Sequence, residues 1–180
     1  MKDLPNLLTI LRIILIPLFC LSFYIESKFS WLVTVLIFSS ASLTDFFDGY
    51  LARTLEAQSK FGKLFDPIAD KMIVATAILM LVHLQYITGT TLIPAIIIVC
   101  REFFVSGLRE YLARDDKTFP VNSLGKLKTI SQIVAILLYL LHKDWIPDFL
   151  PTFFIWVAGL TSLASACLYF YENKDALLKR

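Results

Sequence analysis

Histidine and cysteine, the side chains that most often build transition-metal sites and covalent nucleophiles, are nearly missing from this chain, with two histidines and three cysteines in 180 residues. Cys20, Cys100 and Cys167 each fall inside an apolar stretch and share no metal-ligand spacing, so they read as small buried hydrophobes that locate no redox compartment and offer no nucleophile. Charged residues are scarce at 18%. Nothing among them forms a patch suited to nucleic acid, which excludes that class of partner. Linkers, low-complexity segments and internal repeats are also absent, and the short connections leave no room for a second soluble domain.

What is there is apolar: 57% of the residues are hydrophobic, and the mean hydropathy is +0.70. Runs of about 18 or more such residues read as spanning helices, and six fit, at residues 8–25, 31–53, 64–86, 91–114, 124–142 and 150–171. The expected fold is therefore an all-α integral membrane protein, a single six-transmembrane-helix bundle over residues 1–180. Breaks fall at Glu26-Ser27-Lys28, around Ile87-Thr88-Gly89, at Arg114-Asp115-Asp116-Lys117 and at Lys143 to Pro147. The first stretch carries Arg12 and has no small-residue cleavage pattern before Glu26, so it reads as retained rather than as a secretory signal. Pro5 and Asn6 suggest a short interfacial start, with Arg12 snorkelling near the headgroups.

Six spans place both termini on one side. Lys28 and Lys143 alone fall in the far loops, while the remaining lysines and arginines lie at the termini, in the second and fourth connections or on the helix ends flanking them. The positive-inside tendency then puts both termini on the cytoplasmic side. His83 and His142 end up near the far face and read as noncatalytic, and Trp31 and Trp145 read as interfacial anchors.

Against this background residues 45–70 stand out: DFFDGYLARTLEAQSKFGKLFDPIAD, on the cytoplasmic side. Asp45 and Asp48 are three apart at the end of the second span, and Asp66 and Asp70 four apart at the start of the third, so each pair shares a helical face. Ionisable groups at membrane depth default to function, and four carboxylates cannot share one region without cations. Gly49 and Ala52 clear bulk from the face of the first pair, Gly62 does so at the entry to the third helix, and Pro67 is tolerable in that helix's first turn. Antiparallel helices would bring the pairs face to face as an all-oxygen cage. Such a cage suits magnesium or manganese, with phosphate oxygens as further ligands and Arg53 as a permanent cation beside them. A solvated cluster paired with Arg53, Lys60, Lys63 and Lys71 would not require this spacing.

The pattern Asp45-x2-Asp48-Gly49-x2-Ala52-Arg53-x8-Gly62-x3-Asp66-x3-Asp70 resembles the full signature of the CDP-alcohol phosphotransferase family. Leu4 to Arg12, Arg101 to Glu110 and Gly125 to Thr129 are similar to segments of the branch that uses glycerol 3-phosphate rather than serine or inositol phosphate. The resemblance implies a six-helix membrane enzyme, usually a homodimer, in the bacterial cytoplasmic membrane. It would move a phosphatidyl group from CDP-diacylglycerol to glycerol 3-phosphate with release of CMP. It further implies that Asp45, Asp48, Asp66 and Asp70 hold two divalent cations, Mg2+ or Mn2+, that Asp70 is also the general base, and that Asn6, Thr9, Gly49, Ala52, Arg53 and Gly62 line the cytidine nucleotide pocket. Attack by a hydroxyl needs a proton acceptor within hydrogen-bond reach, which agrees with the role given to Asp70.

A phosphorylated acceptor needs a second set of cations. Arg101 and Arg109 are eight apart on the fourth span, about 80° around an ideal helix, and Lys126 and Lys128 open the fifth from the same side. These four are the candidate acceptor-phosphate ligands; the competing role for Arg101 is a partner carboxylate such as Glu102, and for the lysines contact with anionic headgroups. A transporter would carry polar residues across the whole membrane thickness, whereas here the far halves of the spans are almost entirely apolar. A prenyltransferase also uses aspartate pairs with magnesium, but would normally lack the glycine and alanine spacing between Asp45 and Asp66.

Overall fold

A computed structural model of the chain describes residues 4–27, 29–55, 60–113 and 123–178; within its helices the side chains of 4–6, 45–55, 60, 61, 63, 64, 113, 123, 124, 142–145 and 175–178 lie outside the described residues. The described residues form α1 (Leu4–Ser22), α2 (Ser30–Leu55), α3 (Lys60–His83), α4 (Leu92–Ala113), α5 (Ser123–Trp145) and α6 (Phe149–Leu178), with one 3-10 turn at Gly89–Thr91 ahead of α4. No strand occurs among them. Each helix overlies one of the six apolar stretches, but three boundaries differ by four residues or more. Helix α1 begins at Leu4, taking Pro5 into its first turn instead of leaving a separate interfacial start. Helix α3 begins at Lys60, so Pro67 lies well inside the helix rather than in its first turn, and its missing N–H withdraws a donor from the Lys63 carbonyl. Helix α6 runs on to Leu178.

The chain divides into two compact units, Met1–His83 and Leu84–Arg180. In the first, α1 packs against both α2 and α3. Its inward face is Thr9, Arg12, Ile16, Phe19 and Ser22, all buried and spaced three or four apart as a helix requires. Phe19 meets Phe38 of α2 with ring centroids 5.8 Å apart, and the Ser22 and Thr34 hydroxyls are 2.9 Å apart at that end of the pair. Ala41, Ala69 and Ala77 are fully buried, small enough for close helix approach. Arg12, expected at the headgroups, is instead fully enclosed: its place on the α1 face shared with Thr9 and Ile16 turns it inward.

In the second unit α6 packs against α4 and α5. The contact with α4 depends on Gly159, where a Cβ would fall 2.5 Å from Pro94 Cβ and 2.9 Å from Pro94 Cα. The 3-10 turn is closed by Thr91, whose hydroxyl donates to the Thr88 carbonyl at 2.7 Å and accepts from the Thr88 N–H at 3.0 Å.

Large apolar side chains cover the outside of the helices: Leu7, Ile10, Leu11, Ile14, Leu18 and Leu21 on α1, Ile96, Phe103 and Phe104 on α4, and Phe153, Leu160 and Phe170 on α6 are all exposed. Apolar exposure on this scale marks a surface made for a nonaqueous neighbour. Among the described residues, the helices at Gly89–Leu112 and Phe149–Lys174 have the length and composition to cross a membrane. The cysteines depart from expectation in part. Cys20 is half-buried, but Cys100 and Cys167 are exposed, because an outward apolar face accommodates a thiol as readily as a core does.

Candidate active site

Asp66 and Asp70 stand one turn apart on α3, both half-buried. Gly62, one turn earlier, is buried and keeps that face of the helix low. The Thr9 hydroxyl of α1, fully enclosed, donates to Asp66 Oδ1, so a proposed nucleotide residue and a proposed metal carboxylate meet in the first unit. Lys71 turns back along its own helix and donates from Nζ to the Pro67 carbonyl. Asp45, Asp48, Gly49, Ala52 and Arg53 lie on the last turns of α2 and Asn6 on the first turn of α1, with their side chains outside the described residues. Among the described residues no three histidine, cysteine or acidic side chains gather as a metal centre. The donor chemistry of the quartet nevertheless suits a hard divalent cation, since it is all carboxylate oxygen, carried on two helices consecutive in the chain.

The proposed acceptor cations all lie in the second unit, where they divide into two environments. Lys128 is buried and its Nζ pairs with Glu102 Oε1. The Arg101 Nη1 stands 3.8 Å from Glu102 Oε2, and its Nη2 donates to Ser165 Oγ of α6 at 2.9 Å. The Arg101 Nε is buried without a hydrogen-bond partner. Arg109 is exposed, with its guanidinium carbon 5.4 Å from the centre of the Tyr169 ring, a cation-π contact. That ring packs with Val105 and Leu112 and so fixes the platform. Lys126 is exposed, two residues and therefore more than half a turn of helix from buried Lys128.

Arg12, Glu102 and Ser165 are not among the site residues expected from sequence, although Glu102 is the competing partner considered for Arg101. A periodic signal exists for the α5 side of the cluster: Lys128, Ser131, Gln132, Ala135, Ile136 and Tyr139 are all buried at helical spacing. Extending that apolar face backward reaches Lys128 and passes by Lys126. Ser165 has no such signal, because a serine within an apolar helix is equally often a neutral packing residue.

A family model described as CDP-alcohol phosphatidyltransferase matches residues 2–164. A protein of Rickettsia typhi is 41% identical over 178 residues, covering 97% of this chain and 98% of its own length, and bears the name CDP-diacylglycerol–glycerol-3-phosphate 3-phosphatidyltransferase. Proteins of the same name from Rickettsia felis and Haemophilus influenzae are 40% identical over 96% of this chain and 36% identical over 98% of it, each covered over 96% of its own length.

Proposed function

We propose that this chain, which belongs to the CDP-alcohol phosphatidyltransferase family, transfers the phosphatidyl group of CDP-diacylglycerol to glycerol 3-phosphate, giving phosphatidylglycerophosphate and CMP. The observation that carries this reading is near full-length similarity to relatives bearing that name, joined to an aspartate signature with every position filled. The protein works as six membrane-spanning helices in the bacterial cytoplasmic membrane, with termini and active site on the cytoplasmic side, and as a homodimer.

The acceptor hydroxyl attacks the phosphorus that carries the diacylglycerol. The new P–O bond forms as the bond to the CMP oxygen breaks, CMP departs with that electron pair, and Asp70 takes the hydroxyl proton. No serine or cysteine nucleophile is called for, so displacement is direct. Two divalent cations, Mg2+ or Mn2+, held by Asp45, Asp48, Asp66 and Asp70, would supply neutralisation of the charge on the diphosphate. Thr9 orients the Asp66 carboxylate by the hydrogen bond it makes there, and with Asn6, Gly49, Ala52, Arg53 and Gly62 serves the cytidine nucleotide. Arg101, Arg109 and Lys126 supply the positive charge that answers the acceptor's phosphate, and Lys128 serves that site through its pairing with Glu102.

Purified protein given CDP-diacylglycerol, magnesium or manganese, and glycerol 3-phosphate, serine or inositol phosphate in turn tests the reading. CMP release is fastest with glycerol 3-phosphate. Faster turnover with serine or inositol phosphate would replace the acceptor while keeping the chemistry.

A further inference from the structure

Three ionisable groups meet between α4 and α5 in the second unit. Glu102 is 7% exposed and Lys128 5%; each would be costly to bury alone, and their pairing offsets that cost. A clasp serving only to join α4 to α5 would be complete at that point, one cation to one carboxylate. Here a second cation shares the same carboxylate. Arg101 lies 3.8 Å from the remaining Glu102 oxygen, places its other terminal nitrogen on the neutral Ser165 hydroxyl and keeps a buried Nε without a partner. Among the described residues two cations thus share one carboxylate, and the Arg101 guanidinium is the more distant of the two.

We infer that Glu102 is a positioning residue for the acceptor's phosphate: with Ser165 it fixes the Arg101 guanidinium between α4 and α6, while Lys128 anchors the Glu102 carboxylate from α5. The inference rests on Arg101 serving the acceptor. Lys128 then acts through Glu102, and a phosphate monoester, by chemistry a bidentate acceptor for guanidinium, completes the charge balance.

Glu102→Gln removes the charge at nearly constant volume. It raises KM for glycerol 3-phosphate at least about tenfold while kcat and KM for CDP-diacylglycerol stay within about twofold. Glu102→Asp, which retains the charge, recovers part of the loss. The double variant Glu102→Gln/Lys128→Met leaves no lysine buried without its carboxylate and has a KM above that of Lys128→Met alone, because Arg101 still lacks its anchor. It also carries the measurement should Glu102→Gln alone fail to fold. A double variant with the KM of Lys128→Met alone would reduce Glu102 to a packing partner of Lys128 and overturn the inference, as would a parallel loss in kcat and both KM values in Glu102→Gln.

A second readout does not depend on turnover. Glycerol 3-phosphate raises the thermal unfolding temperature of the parent protein and not of Glu102→Gln, while CMP stabilises both; equal stabilisation of both by glycerol 3-phosphate would also overturn the inference. A parent protein that releases no CMP with any acceptor, yet shows this glycerol-phosphate stabilisation, would remove the proposed reaction and leave the anion site standing.

Discussion

Two carboxylates stand one turn apart on the same helix. Asp66 accepts the hydroxyl of Thr9, a residue enclosed in the first unit, and is thereby held in one orientation. Asp70 follows it on the same face, where the proton acceptor is assigned. Asp70→Asn keeps the size and removes the basicity, so CMP release falls by about 10²–10⁴-fold. Nucleotide binding, followed by calorimetry with CMP, persists in that variant; a loss of binding matching the loss of turnover would make Asp70 a binding group instead. The quartet is proposed from sequence because carboxylates three and four apart inside an apolar chain repel one another and resist burial unless a cation gathers them. Arg12 and Lys128 are less legible there. A long cationic side chain on an apolar helix snorkels or turns inward according to which face it occupies, and that is decided by a neighbouring helix that sequence does not place.

For whole helices, length and hydropathy carry most of the information, and the six apolar stretches each find their helix. The start of α3 is harder to read, since Lys60, Gly62 and Pro67 all argue locally for a later beginning and packing of the helix overrides them. Helix α6 reads as uniform apolar sequence, yet one position in it controls contact with α4. Gly159→Ala would drive a methyl to 2.5 Å from Pro94 Cβ, with the Pro94 backbone close behind. Neither ring nor backbone can rotate aside, so the substitution costs about 1–3 kcal/mol. In detergent this appears as an unfolding midpoint several degrees lower, and Pro94→Gly in the same chain, which removes the obstructing Cβ, restores part of it. An unchanged midpoint would show that α4 and α6 slide past one another without cost.

Across the whole chain, composition announces a nonaqueous surrounding, and the outward side chains of α1, α4 and α6 agree. The division at His83 and Leu84 is not written in the sequence, because the connection there is as short as the others. Nor is the face that the proposed second copy would use, since lipid and a partner helix ask for the same apolar residues. Cys100 and Cys167, open on that outer surface, thus become depth gauges. In sealed vesicles an uncharged, oil-soluble maleimide labels them and a sulfonated one does not, until surfactant strips the bilayer away; labelling of intact vesicles by the sulfonated reagent would mean that water, not hydrocarbon, bathes those thiols.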